Sequence, residues 1–366
     1  APPIYFSAVV ITAYFGFRSA LVISFLLVLL VSPMVGFSPA FPLIALGGSL
    51  VAALNTKGIS RQDNYAKIIL STAFINFFLT AVIGLLEKET WAIISINVAQ
   101  TALSGVISVV VAIGIMPLYE MIFNTVSPLR LIELSQPGHP LLKRLFVEAP
   151  GTSQHSLMVA NLADAAAEAI GANSMIARTG AYYHDIGKLE APMYFTENQQ
   201  GDNPHDLLSP LESAQIITQH PKDSLKIGRR YRLPVPILRI ASEHHGTTRL
   251  RYFYHKAKEI AEKAGRELPD DKEYCYTTPI PSTPESAVVM LADSTEAAMR
   301  SSGIENIADA EKLIRSIIKE KIDQEQLKNS GLSFADIETI IDAFLQVYAG
   351  HFHERVEYPE AATETN

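Results

Sequence analysis

His184-Asp185-Ile186-Gly187-Lys188 is the stretch on which the fold turns. It closes a helical pattern that begins at Ser174, so an imidazole and a carboxylate stand together at a helix end, with a glycine and a mobile cation behind them. A lone His-Asp pair arises often by chance, and its companions give it weight. His155 lies upstream, His220 and the pair His244-His245 lie downstream, and Asp293 sits in a mostly apolar run, 287–298. A buried carboxylate there needs partners or a metal. Mixed imidazole and carboxylate ligation suits Fe, Mn, Zn or Co, whereas Ca and Mg prefer all-oxygen sites. The single cysteine, Cys275, excludes an internal disulfide framework and a CxxC zinc site.

Outward from this motif the apolar spacing is helical. Thr152 or Ser153 is placed to cap a helix through His155, Leu157, Val159, Leu162 and Ala166, with Gly171 ending it. Further helices are predicted at 174–188, 211–220, 236–245 and 251–265. After a Pro- and Thr-rich loop, others follow at 285–301, 307–328 and 333–349. No alternating apolar pattern lasts long enough for a sheet, so this half is predicted to be all-α.

Charge divides the chain. Residues 1–125 hold nine of its 68 Asp, Glu, Lys and Arg residues, and every histidine lies at or after His139. A span needs about 20 mostly apolar residues, and five are predicted near 1–17, 19–37, 39–55, 65–86 and 91–122. Gly47, Gly48 and Ser49 allow close helix packing in the third. With the polar half inside, Glu87-Lys88-Glu89 falls outside, the loop with Lys57, Arg61 and Lys67 inside, and Arg18 inside. Placing Arg18 mid-helix would cut the count to four and put a charge in hydrocarbon. The segment lacks a basic n-region, so it does not read as a cleavable signal peptide. It opens in an apolar stretch without Met, as part of something longer would. Five spans exceed what anchoring needs and point to a sensor bundle. Expected boundaries are 1–125 for the transmembrane helical region, 126–150 for a connector broken by Pro128, 151–350 for the soluble domain and 351–366 for a tail. The net charge of −8 argues against a nucleic-acid polymer as partner.

The set His155, His184-Asp185, Asp293 resembles the HD-domain metal-dependent phosphohydrolases. The wider text, Glu148-Ala-Pro-Gly-Thr-Ser-Gln-His155, Tyr182-Tyr183-His184-Asp185-Ile-Gly-Lys188, Asn203-Pro204-His205-Asp206, Glu243-His244-His245-Gly246 and Ala292-Asp293-Ser294, is similar to the seven-transmembrane-receptor HD family. Its PgpH-type members are cyclic-di-AMP phosphodiesterases. The resemblance implies an all-α HD domain, cytoplasmic, behind a multi-span bundle in the bacterial cell membrane. It also implies an extracellular domain to which nothing in this sequence corresponds. Two divalent metals, Mn or Fe, are implied: one on His155, His184, Asp185 and Asp293, the other on Asp185, His220, His244 and His245, with Asp185 bridging. Two such cations share and activate a hydroxide for in-line attack on a phosphodiester, giving linear pApA from cyclic-di-AMP.

Around the metals, Asp185 and Lys188 are the candidate catalytic residues, Lys188 reading also as a solvated helix-end charge. Tyr194, Phe195, Asn198 and Gln199 read either as an aromatic plug for the bundle or as a purine subsite, since aromatic faces stack on bases and Asn or Gln can pair with adenine. Thr247 and Arg300 are further candidates for phosphate contact. His205 reads as a loop cap rather than a ligand. Expected partners are a cyclic dinucleotide and the lipid bilayer, with a homodimer compatible. The alternatives are a receptor or scaffold whose HD fold binds nucleotide without turnover, and a hydrolase of cyclic-di-GMP. No Gly-Tyr-Pro follows Glu243-His-His, as the cyclic-di-GMP group requires. The run Ser282-Thr-Pro-Glu285 departs from the family text, Ser-Lys-Glu, just before the Asp293 helix.

Overall fold

The computed structural model describes residues 4–57, 63–304 and 306–350, and divides into two compact units, Ala1–Leu134 and Ser135–Asn366. Arg61 and the expected tail with His351 and His353 lie outside the described residues.

In the first unit, α1 (Ile4–Phe15), α2 (Phe17–Val31, extended by a 3-10 turn at Ser32–Val35), α3 (Ala40–Lys57), α4 (Asp63–Leu86) and α5 (Trp91–Phe123) fall close to the five predicted spans. The last four are long and apolar enough to cross a bilayer. The described part of α1 is 12 residues, about 18 Å at the helical rise against a hydrocarbon core of roughly 30 Å. The chain breaks between α1 and α2 at Gly16, whose φ of 84° and ψ of 164° are open to glycine alone. That break puts Arg18 in the first turn of α2 rather than mid-helix. α5 runs through Pro117 and stops only at Asn124, which takes the left-handed conformation with φ of 50°. The helix therefore ends at Phe123, one residue past the expected 122, because apolar surroundings leave the backbone groups freed at Pro117 no better partner than the helix.

Small and polar residues fill the inside of this unit. Ala8, Ala52, Ala112 and Asn76 are fully buried, while Leu30, Leu70, Phe74 and Trp91 face outward. Gly48 and Gly105 flank Asn76 closely: a Cβ on Gly48 would meet the Tyr5 ring at 2.4 Å, and one on Gly105 would meet Asn76 Nδ2 at 2.8 Å. Asn76 Nδ2 donates to the Thr101 carbonyl (3.3 Å), and the Thr80 and Thr101 hydroxyls are 2.9 Å apart. α6 (Pro128–Leu134) completes the unit.

The second unit contains α7 (Pro140–Glu148), α8 (Pro150–Ala169), α9 (Ser174–Tyr183), α10 (Pro210–Arg230), α11 (Val235–Glu243), α12 (Arg251–Lys263), α13 (Pro284–Ser302), α14 (Ile307–Asp323) and α15 (Phe334–Ala349). Among the described residues the only extended pairing is an isolated bridge between Arg249 and Cys275. Alanines on α8 and α9 (Ala160, Ala163, Ala166, Ala177, Ala181) let α13 and α15 approach, and Val288, Leu291, Ile340 and Phe344 close a dry core. Burial of such side chains contributes roughly 1.5–3 kcal/mol each.

Three boundaries near the candidate site differ from the sequence reading. α8 begins at Pro150, and Thr152, expected as its cap, instead donates to Glu197 (3.1 Å) and accepts from Asn198 (2.8 Å). α9 ends at Tyr183, and Ile186–Glu190 continues as a 3-10 turn. The reason is α10: a Cβ on Gly187 would lie 1.9 Å from the His220 carbonyl oxygen, so the backbones meet where an α-helix would carry side chains. α10 itself continues ten residues beyond His220, past Pro221, so His220 is mid-helix rather than at a helix end. The divergent Ser282-Thr283 is well used. Ser282 donates through its N and Oγ to Glu243 (2.9 and 2.7 Å), and Thr283 caps α13.

Candidate metal centre

Five helices or helix ends supply the cluster: His155 from α8, His184 and Asp185 after α9, His220 from α10, His244 and His245 after α11, and Asp293 from α13. All are buried except His245, which is partly so. Asp185 divides its oxygens. Oδ2 faces His184 Nε2 (3.1 Å) and His155 Nε2 (3.5 Å), and Oδ1 faces His220 Nε2 (3.2 Å) and His244 Nε2 (3.6 Å). Asp293 meets His155 through Oδ1 (3.0 Å) and His245 through Oδ2 (3.6 Å). The donor atoms of Asp185, His220, His244 and His245 lie within 4.8 Å of one another, as do those of His155, His184 and Asp185. The seven residues singled out by sequence thus share one site.

Local backbone chemistry aims these rings. His184 Nδ1 bonds the Ala181 carbonyl (2.7 Å) and His244 Nδ1 the Ala241 carbonyl (3.0 Å), each in the last turn of a helix that has no further N–H to offer. His220 Nδ1 bonds the Ile217 carbonyl (2.7 Å), the group that Pro221 cannot serve because it lacks an N–H. In all three, Nδ1 donates to the carbonyl and Nε2 is left facing the centre. His155 is held by its Nδ1 contact to Glu296.

That arrangement is unsatisfied without a cation. His220 Nε2 and His244 Nε2 face each other at 3.2 Å. His184 Nε2 and Asp185 Oδ1 are buried with no hydrogen bond. Burial, with the charges of His184 and His220, pulls the His244 pKa down to about 4, and burial takes His245 well below its ordinary value, so both are neutral imidazoles ready to ligate. Burial opposes charge on His184 too, but Asp185 and Asp293 overcome it and raise its pKa to about 10. Asp185 is held well below the carboxylate range, the charges of His184 and Lys188 outweighing its burial. The donor set fits divalent transition metals.

Lys188 is not a mobile charge. It is buried, with Nζ 2.8 Å from Asp185 and 2.6 Å from Glu197, and 4.9 Å from the Phe195 ring centre. A cavity of about 650 Å³ opens from the cluster, lined by Tyr194, Phe195, His205, Tyr276 and Arg300 among others. Three residues expected at the substrate do not line it. The Asn198 amide is spent on Thr152 and the Pro192 carbonyl, Gln199 donates to Asn203, and Thr247 is tied to Gln326 through both N and Oγ1. They brace loops. His205 bonds the Tyr194 carbonyl (2.8 Å), so it too is a loop brace rather than a ligand. Sequence reading gave no role to Glu197, to Glu296 or to Tyr276, whose ring stacks on His245 at 4.2 Å. Glu296 could have been found from its place three residues after Asp293, one helical turn on.

A family described as "7TM receptor with intracellular HD hydrolase" matches residues 1–127, and the HD domain family matches residues 152–298. The cyclic-di-AMP phosphodiesterase PgpH of Bacillus subtilis is 42% identical over 309 residues, 83% of this chain and 43% of that protein. PgpH of Listeria monocytogenes is 42% identical over 291 residues, 78% of this chain and 40% of its own length. The chain therefore spans less than half the length of these relatives. The crystal structure of the Listeria PgpH HD domain covers 59% of this chain and all of its own, at 45% identity and a TM-score of 0.55. The same domain in complex with cyclic-di-AMP matches at 44% identity and a TM-score of 0.56.

Proposed function

The chain belongs to the family of 7TM receptors with an intracellular HD hydrolase, and from that premise we propose that it is a membrane-bound, metal-dependent phosphodiesterase that hydrolyses cyclic-di-AMP to linear pApA. The observation that carries the reading is Asp185, whose two oxygens face separate histidine pairs. His155, His184, Asp185 and Asp293 would hold one divalent ion, Mn or Fe, and Asp185, His220, His244 and His245 the other. Such a pair supplies Lewis-acid charge and a nucleophile at neutral pH.

The chain's own residues do the rest. The backbone carbonyls behind His184, His220 and His244 fix each tautomer, and Glu296 fixes His155. Lys188 and Glu197 orient Asp185, and the ammonium adds positive charge beside the position of the reacting phosphate. Tyr194 and Phe195 offer aromatic faces to a purine, and Arg300 a charge to phosphate. For topology, the reading is five spans with the N-terminal side outside and the HD unit in the cytoplasm of a bacterial cell.

The test is the whole chain, purified in detergent, with Mn²⁺ or Fe²⁺ and a panel of cyclic-di-AMP and cyclic-di-GMP. Metal-dependent formation of pApA is expected. Tight binding of cyclic-di-AMP with no product would instead identify a receptor, and preference for cyclic-di-GMP would overturn the substrate. The mass of the same preparation reads out a homodimer.

A further inference from the structure

The walls of the cavity carry cations of two kinds. Lys188 is neutralised by Asp185 and Glu197, Arg249 lies 3.1 Å from Asp271, and Arg300 lies 3.5 Å from Glu296. Lys321, in the last turn of α14, also lines the cavity, on the wall where α14 packs on α13. Among the described residues it has no ion pair. Its neighbour Glu320 is taken by Arg251 (2.7 Å) and Gln324 (2.9 Å), and the Asp293 oxygens face His155 and His245. Lys321 is partly buried, and that burial lowers its pKa, with Asp293 the largest opposing influence. A charge withdrawn from water without a partner is unfavourable. The C-terminal dipole of α14 returns only a small part of that cost, which does not explain an ammonium turned into a cavity. Lys256, half-buried on the same cavity, is the other cation there without a carboxylate partner among the described residues.

We propose that Lys321 is the anchor for the second, non-reacting phosphate of a two-phosphate substrate, with the reacting phosphate at the Asp185 cluster. This rests on the function proposed above, which supplies a substrate with two phosphodiesters in one ring. The Asp185 cluster holds the first phosphate and Lys321 the second, so the cavity selects rings with two phosphodiesters over single phosphodiesters by charge placement.

The test compares wild type, Lys321→Met and Lys321→Arg in the whole chain with Mn²⁺, on cyclic-di-AMP and on bis(p-nitrophenyl) phosphate, which has one phosphate. Equilibrium dialysis of cyclic-di-AMP in EDTA adds a binding readout without turnover. Lys321→Met is expected to raise KM for cyclic-di-AMP about tenfold or more, leave kcat and the single-phosphate reaction unchanged, and weaken binding in EDTA to a like degree. Lys321→Arg is expected to restore most of the loss. An unchanged KM, or an equal loss on both substrates, overturns the anchor alone. Wild type that cleaves bis(p-nitrophenyl) phosphate but neither binds nor cleaves cyclic-di-AMP overturns the substrate reading and the anchor with it.

Discussion

The two units bury polar groups for opposite reasons. In Ala1–Leu134 the polar side chains inside include Asn76, Thr80 and Thr101, which bond one another or a nearby carbonyl, and the apolar bulk faces out. In Ser135–Asn366 the apolar bulk is inside, and the buried polar groups gather at one point with donors deliberately left open, such as His184 Nε2. Their glycines differ in the same sense. Gly187 and Gly151 press on backbone, with an added Cβ 1.9 Å from the His220 oxygen and 1.8 Å from the Glu197 oxygen, whereas Gly48 and Gly105 press on side chains. One unit is packed for mutual fit and can adjust. The other is packed to hold fixed atoms at fixed distances and cannot.

Removing the shared carboxylate is the hardest blow to this contrast. Asp185→Ala is expected to abolish hydrolysis and metal content while circular dichroism still reports a helical fold; retained turnover would break the two-metal assignment. Next comes Glu296→Gln, which loosens the His155 ring without touching the cavity's shape. Loss of such a support typically lowers metal affinity or activity about 10–100-fold, read by metal titration and kcat/KM. The glycine contrast is tested by melting. Gly187→Ala should destabilise the HD unit by about 1–3 kcal/mol, while Gly48→Ala costs less because the Tyr5 ring can rotate away; equal losses would erase the distinction. The smallest effect is Asn76→Leu, about 0.6 kcal/mol for an interhelical hydrogen bond in a membrane protein, with kcat unchanged.

Much of the site was legible beforehand because the family text names it and most of the ligands carry a local mark. His184-Asp185 and His244-His245 are paired at helix ends, Asp293 is an acid in an apolar run, and His220 precedes a proline that frees the carbonyl its ring needs. The substrate wall was less legible. Asn198, Gln199 and Thr247 have the right chemistry for a purine or a phosphate, yet each is consumed by a loop contact, two of them with residues 46 and 79 positions away. The end of α9 also escaped the pattern, since Tyr183 to Lys188 stays compatible with a helix until α10 packs on Gly187.

Composition and short-range spacing were enough to separate the apolar bundle from the helical domain, because span length and helix period are properties of neighbouring residues, and the resemblance to the HD family implied the seven donors. Which oxygen of Asp185 meets which histidine, that Glu296 steadies His155, that Lys188 is neutralised and that Lys321 is not, depended on helices distant in the chain coming within a few ångströms. Electrostatic energy varies with the separation of charges in space, and only the packed structure sets that separation.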